Sequence, residues 1–222
     1  MATKPLAVGG SPLSPQDQAD VREQIGAVAL TTAQTTAGGV SVVAQTSGGV
    51  LLDAGGNPLS LGGGTKTLAV FTPMTSQPPA TAFATLDTRN SIAVLDFDDA
   101  AVESTTFVGV IPEAANLASG IAAYVHWTAT SATSGNVRWR VEFEKAGTDI
   151  DADSFDTATE ATSAANGTSG VESTATITCT SIDSLAAGNR YRVRVSRVGT
   201  DATNDTMTGD AELIAVELRQ VA

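Results

Sequence analysis

Apolar and polar residues alternate with a period of two through most of the second half of this chain. The clearest run begins at Val137, where every second residue through Phe143 is apolar and the residues between them are charged. Further runs have their apolar faces at Ile121, Ala123, Val125 and Trp127, at Ile177 and Cys179, at Tyr191, Val193 and Val195, and at Ile214, Val216 and Leu218. This pattern predicts antiparallel strands with one face on a core and the other in water.

Shorter apolar runs at residues 68–71, 92–97 and 105–111 bring the expected number of strands to about eight. Turn sequences such as Ser-Gly-Asn at 134–136 separate the runs, and no helical period appears among them. We therefore predict an all-β domain over residues 66–222. Eight strands of this size favour an antiparallel β-sandwich with a jelly-roll-like arrangement.

The first 65 residues have a different composition. Seven of the eight prolines precede residue 80, and glycines are concentrated between residues 38 and 64. Such a segment buries too little apolar surface to offset the entropy of ordering it. We expect residues 1–65 to form an extended N-terminal arm that is ordered only against another surface and serves attachment or oligomerisation.

One short helix is expected inside the arm, at about residues 14–26. Ser14 can cap it, Pro15 suits its first turn and Gly26 can end it. Val21 and Ile25 would share its only apolar face. Two interpretations stay open: a small capped helix without a further role, or an attachment and trimerisation element with Val21 and Ile25 facing inward.

Charge and composition exclude several classes of partner. The net charge is −12, from 12 basic and 24 acidic residues. Nucleic-acid binding needs a basic surface to neutralise phosphates, and anionic membranes attract basic segments. No apolar stretch reaches the ~18 residues of a membrane-spanning helix, and no secretory signal is recognisable at the N-terminus. We expect no nucleic-acid partner and no membrane partner.

Candidates for nucleophilic or metal chemistry are few. Cys179 is the single cysteine and lies on a predicted core face, where it would act as a small hydrophobic residue. His126 is the single histidine and is expected on the face opposite Trp127. One cysteine and one histidine cannot supply a zinc ligand set, and no phosphate-binding loop or nucleophile elbow is present. We expect a protein that is not an enzyme.

Carboxylates supply two alternative sites. An acid/base pair of the kind that hydrolases use could form among Asp96, Asp98 and Asp99. A calcium loop could form after residue 148, because four carboxylates match positions 1, 3, 5 and 12 of the EF-hand loop. These candidate ligands are Asp149, Asp151, Asp153 and Glu160. Position 6 is serine instead of glycine, so a solvated acidic loop without metal is the competing interpretation.

Charged residues on the outward faces of the predicted strands suggest ion pairs across neighbouring strands. The expected groups are Arg138, Arg140, Glu142 and Glu144 on one side and Arg190, Arg192, Arg194 and Glu217 on the other. Exposed pairs of this kind would fix strand register and do not by themselves form a binding site.

Two parts of the chain resemble bacteriophage proteins. Residues 14–26, SPQDQADVREQIG, are similar to a short segment that recurs in phage fibre proteins. Four later motifs together resemble a module of tailed-phage and prophage virion proteins: HWTAT at 126–130, DIDADSF at 149–155, IDSLAAG at 182–188 and MTGDAEL at 207–213. The resemblance implies a virion structural part, often homotrimeric, without a defined set of catalytic residues.

From the resemblance and the layout of the chain, we expect an oligomeric surface appendage of a tailed-phage virion. It would be made in the host cytoplasm and anchored by its arm to another virion protein, such as the major capsid protein or a tail protein. A capsid-decoration or head-fibre role is the first expectation. The alternative is a tail-fibre or tail-tip adhesion protein whose β-sandwich binds host or environmental glycan.

Overall fold

The structure is a computed structural model. It describes residues 66–131, 134–147, 149, 151 and 154–221, together with the backbone of four short strands nearer the N-terminus. The chain divides into two units, residues 1–63 and 64–222. The predicted helix at 14–26, with Val21 and Ile25, lies outside the described residues.

The described part of the first unit consists of two short antiparallel pairs. Strand β1 (Ala7–Val8) pairs with β2 (Ser11–Pro12), and β3 (Val42–Ala44) pairs with β4 (Leu51–Asp53).

The second unit contains ten strands and one short 3-10 turn, at Pro73–Thr75. The strands are β5 (Thr67–Phe71), β6 (Thr85–Arg89), β7 (Ile92–Phe97), β8 (Val102–Val110), β9 (Ile121–Ala129), β10 (Asn136–Lys145), β11 (Thr159–Ala164), β12 (Ser173–Cys179), β13 (Arg190–Val198) and β14 (Ala211–Gln220). Apart from the 3-10 turn, the described residues form no helix. The predicted all-β class is therefore confirmed.

The strands form two antiparallel sheets that pack face to face. Sheet I has the order β11-β10-β13-β8, and sheet II has the order β12-β9-β14-β7-β6. Strand β5 lies beside β14, next to the stretch of β14 that extends past β7. From β7 to β14, successive strands cross between the sheets except at the β10–β11 hairpin, which gives the strand order of a jelly roll. The predicted β-sandwich is confirmed.

Aromatic rings fill the space between the sheets. Trp127, Trp139 and Phe97 are fully buried, and the ring centre of Trp139 lies 5.2 Å from Phe97 and 6.1 Å from Trp127. At the β5 side of the sandwich, Phe71 stacks on Phe107 at 5.1 Å. The apolar faces predicted for β9, β10, β12 and β13 are the faces that the core buries.

The predicted face of β14 is wrong at one position. Alternation placed Ile214 in the core with Val216 and Leu218. A bulge between Leu213 and Ala215 shifts the register against β9, so Leu213 is buried instead and Ile214 is half-buried. A bulge adds one residue to a strand and reverses which face the following residues occupy.

Candidate functional site

The outer face of sheet I carries a ladder of ion pairs. Arg194 donates two hydrogen bonds to Glu142, at 2.8 and 2.9 Å, and Arg192 pairs with Glu144. These two cross-strand pairs follow the register of β10 and β13, as predicted. Phe155 lies beneath them, 4.2 Å from the guanidinium carbon of Arg194, so the ladder also covers an aromatic ring.

Two further arginines of the ladder share one acid that the sequence did not suggest as their partner. Glu160 accepts hydrogen bonds from Nε of Arg138 at 3.1 Å and from Nε of Arg140 at 2.6 Å. Glu217, which was expected in this group, lies on sheet II and pairs with Arg219 at 2.6 Å. Glu160 was not predicted as the partner because its strand, β11, has no alternating apolar residues and was therefore not predicted as a strand.

The acidic loop has a partial description. Asp149 and Asp151 are exposed, and the backbone N–H of Asp151 donates to Asp149 Oδ1 at 3.0 Å. Both carboxylate oxygens of Glu160 accept hydrogen bonds from Arg138 and Arg140. Asp153 lies outside the described residues. Within the described ranges, no group of three or more histidine, cysteine or acidic side chains is placed to hold a metal ion. The calcium site stays a prediction.

Sheet II separates the single cysteine from the single histidine. Cys179 is fully buried on the inner face, and burial raises its pKa to about 11, so its thiol is protonated at neutral pH. His126 lies on the outer face, where its Nδ1 is 2.6 Å from Glu172 Oε1 and 3.3 Å from Thr174 Oγ1. A Cys–His catalytic pair is therefore excluded.

The three candidate aspartates after strand β7 have different surroundings. Asp98 accepts the backbone N–H of Ala100 at 2.6 Å, and Asp99 accepts that of Gly209 at 2.6 Å, so both stabilise loops. Asp96 lies directly opposite Glu212 in the register of β7 and β14. The structure therefore brings Asp96 against another acid. Asp98 and Asp99 lie near Asp210, where, after burial as the largest cause, they add to the rise of its pKa.

Asp96 is the most perturbed carboxyl near neutral pH. Burial is the largest cause that raises its pKa to about 6; Glu212, Asp87 and Asp210 add to the shift, while Arg89 opposes it. Its Oδ1 is buried and has no hydrogen-bond partner in the described part of the chain. Such a group can exchange a proton near neutral pH, but it does not line the neighbouring cavity of about 330 Å³. The lining of that cavity combines apolar side chains such as Ile92 with polar ones such as Arg89 and includes no carboxyl.

Two other cavities lie at the ends and edges of the sandwich. One, of about 480 Å³, is bounded by loop hydroxyls, among them Ser119 and Thr180, and by Asp156. The other, of about 250 Å³, lies at the β8 edge of sheet I beside Arg190. None of the three cavities is lined by an aromatic ring.

No family model matches the chain, and neither a curated protein nor a solved structure matches it. In the described residues, no helix has the length and apolar character needed to cross a bilayer. Function must therefore be argued from the chain's own geometry.

Proposed function

We propose that this protein is a structural, non-enzymatic part of a tailed-bacteriophage virion. It is an oligomeric surface appendage of capsid-decoration or head-fibre type, anchored by residues 1–65 and projecting the β-sandwich. One observation carries the proposal: apart from Asp96, the described side chains that the sequence offered for catalysis are each committed to a structural contact. Asp96 lies opposite Glu212 and lines none of the three cavities. Cys179 packs in the core, His126 contacts Glu172, and Asp98 and Asp99 hold loops.

The resemblance of the motifs at 126–130, 149–155, 182–188 and 207–213 to virion modules supports the same proposal. The structure places IDSLAAG at the turn before β13, where Asp183 accepts the backbone N–H of Lys145 at 2.7 Å. Asp183 and Ser184 have φ angles of 52° and 55°. A left-handed pair of this kind favours a defined turn sequence, which gives the motif a structural reason to recur.

Exposed apolar side chains support self-association. Five of the large apolar side chains that are exposed belong to the stretch from β5 to the start of β7: Val70, Met74, Phe83, Leu86 and Ile92. Contiguous apolar patches mark association sites, and we infer that these side chains contribute to one. We propose that the appendage is a homotrimer. Light scattering of the full chain should give about three times 22.4 kDa, and a monomer would contradict the homotrimer.

Localisation on the particle tests the proposal directly. Antibodies against residues 66–222 are applied to purified tailed particles produced by the strain that carries the gene, and the label is located by electron microscopy. Label on the capsid is the expected result. Label on the tail would favour the alternative role, and particles without label would overturn a virion role.

The alternative is a tail-fibre or tail-tip adhesion protein that binds host glycan. The hydroxyl-lined cavity of about 480 Å³ favours it, because hydroxyls and the carboxylate of Asp156 can hydrogen-bond to sugars. The absence of aromatic rings from the three cavities argues against a stacking platform. Binding of host polysaccharide that is lost in Asp156→Ala would establish this role, and equal binding by both proteins would exclude this cavity.

A further inference from the structure

Strand β8 forms one edge of sheet I, and the chain itself covers the first part of that edge. The backbones of Gln77 and Thr106 exchange two hydrogen bonds, at 2.8 and 3.0 Å. Ser104 makes two more, with Ala82 at 2.9 Å and with Ala84 at 3.2 Å. These contacts satisfy the outward backbone groups of β8 only as far as Thr106.

Beyond Thr106, no described residue pairs with the outer edge of β8. Ile111 bonds to Asn189 on the β13 side, and alternate residues of a strand direct their backbone groups to the same side. Val108 and Val110 therefore direct N–H and C=O away from the sheet, and no described residue bonds to them. Their side chains are 39% and 59% exposed. Neither a charge nor a proline protects this part of the strand.

Arg190 lies beside the open edge. It is opposite Val110 in the ladder of β8 and β13, and it is exposed. Its Nη2 donates one long hydrogen bond, at 3.4 Å, to the carbonyl of Gly147. It forms no ion pair with a described residue. The other arginines of the described ranges each have a carboxylate partner: Arg89, Arg138, Arg140, Arg192, Arg194, Arg197 and Arg219.

A cavity of about 250 Å³ lies between Arg190 and the open edge and is lined by Val108 on the edge side. One of the two carboxylates in its lining has a cationic partner. Glu144 pairs with Arg192, and Asp149 accepts a backbone N–H of its own loop at 3.0 Å. An anion that enters this cavity would therefore meet Arg190 as the available cation.

A second copy of the chain fits this surface poorly. Antiparallel pairing of two β8 edges would set Val108 of one copy opposite Val110 of the other. The arginines of β13 in both copies would then lie on either side of the new strand pair. Neither copy of Arg190 would gain an anionic partner. Charge complementarity instead favours a partner strand that carries a carboxylate.

We propose that the outer edge of β8, at Val108 and Val110, binds an extended strand of a partner protein that carries an acidic side chain for Arg190. Backbone hydrogen bonds to the two valines extend sheet I by one strand, as in other cases of strand addition. Val108, Val110 and Arg190 share the outer face of sheet I. On that face an apolar side chain of the partner packs against the valines, and a carboxylate two residues away enters the cavity. The partner is thus a segment that carries an apolar and an acidic residue two positions apart.

Fluorescence anisotropy with the full chain tests this proposal. The probe is a labelled peptide STVTETS, and the matched probe is STVTKTS. The glutamate peptide should bind the full chain more tightly than the lysine peptide. Arg190→Gln should weaken the glutamate peptide about threefold, the size of an exposed ion pair. Lys66→Gln, which removes a charge next to sheet II, should leave its affinity unchanged.

Val110→Pro tests the strand edge itself. Its N–H points outward, so proline removes no bond to β13, whereas it blocks the added strand. We expect about a tenfold or greater loss of binding with an unchanged melting temperature. Val108→Lys should have the same effect if proline perturbs the fold. Equal binding of both peptides, no binding at millimolar peptide, or unchanged binding by both edge variants would overturn the proposal. An oligomer that Val110→Pro converts to monomer would assign the edge to a second copy and overturn it as well.

Discussion

Arg197 is the most completely bonded side chain of the sandwich. It is fully buried, and its Nε and Nη2 donate to the two carboxylate oxygens of Asp205 at 3.0 and 2.8 Å. Its remaining N–H groups donate to the carbonyls of Phe97, Met207 and Gly209 at 3.0, 2.7 and 2.7 Å. All five donors of the guanidinium are therefore used. The side chain ties β13 to the end of β7 and to the loop before β14.

Removing the partner of this buried charge should be severe. Asp205→Ala leaves the Arg197 guanidinium buried without a counter-charge, so we expect a loss of about 3–5 kcal/mol in the free energy of unfolding. Urea denaturation measures the loss. Glu142→Ala, which breaks the more exposed pair with Arg194, is the matched control and should lose no more than about 1 kcal/mol. Equal losses in the two variants would contradict the role of Arg197.

Asp96 predicts an unusual pH dependence. Its pKa of about 6 in the folded protein lies above the ordinary value of 3.8. Between these values the folded state holds a proton that the unfolded state releases, so this carboxyl adds stability as the pH falls from 7 towards 5. The slope is at most about 1.4 kcal/mol per pH unit, and solvent screening of this half-buried group reduces it.

Asp96→Asn should remove this part of the pH dependence. We expect it to be more stable than the wild-type chain at pH 7.5, because an amide next to Glu212 carries no charge, and to lose this advantage towards pH 5. Thermal melts across that range provide the measurement. A constant difference between the two proteins at every pH would show that Asp96 does not titrate there.

At the scale of strands, the alternation of apolar and polar residues predicted those strands that have one buried face and one exposed face. Strands such as β10 have one face in the core and one in water, so their sequences alternate. Strand β6, TLDTR, was missed because none of its residues is buried, and β11, TEATSA, was missed because its one buried residue is not apolar. In β11 the buried position is Ser163, which accepts the indole N–H of Trp127 at 3.1 Å. No periodicity in a single strand could show that partner.

The same limit applies to the candidate site. The Arg–Glu pairs of β10 and β13 could be expected because both strands alternate. The partner of Arg138 and Arg140 could not, because Glu160 reaches them through the hairpin register. The unpaired edge beside Arg190 could not be predicted either, because it depends on where the segment that contains Gln77 stops pairing with β8. The sequence pattern of a strand predicts which of its faces is buried. Which strands lie at a sheet edge depends on the order of strands in the folded sheet, and the pattern does not show that order.

Strand β11 bears on the predicted calcium loop because it carries Glu160. Binding of calcium by Glu160 would have to displace Arg138 and Arg140, which lie 3.1 and 2.6 Å away. We therefore expect the same melting temperature in millimolar calcium and in chelator. Asp151→Ala should behave like the wild-type chain. A rise in melting temperature with calcium that Asp151→Ala abolishes would establish the loop as a calcium site.

At the scale of the whole molecule, residues 66–222 should fold without residues 1–65. The described core extends from Phe71 to Leu218. A chain that begins at Thr65 should be soluble and β-rich by circular dichroism, and it should fail to join virions. Aggregation of the shortened chain, or its incorporation into particles at full occupancy, would show that the division of roles is wrong.

Single substitutions in the arm give a finer test of attachment. Val21→Asp and Ile25→Asp would each place a charge on the apolar face of the predicted helix. We expect reduced incorporation into particles and an unchanged melting temperature of the sandwich. Normal incorporation of both variants would remove these two residues from the attachment surface.

The position of β14 has a consequence for synthesis on the ribosome. It lies in the middle of sheet II, between β9 and β7, and its end meets the start of the domain, where the N–H of Gln220 donates to the carbonyl of Lys66 at 2.8 Å. Among the strands of this domain it is the last to be translated. Until it emerges, β9 and β7 have no neighbour between them and the core stays open, so the domain completes its folding after translation of its final strand. A nascent chain interrupted after β13 would expose its aromatic core and become a substrate for chaperones and proteases.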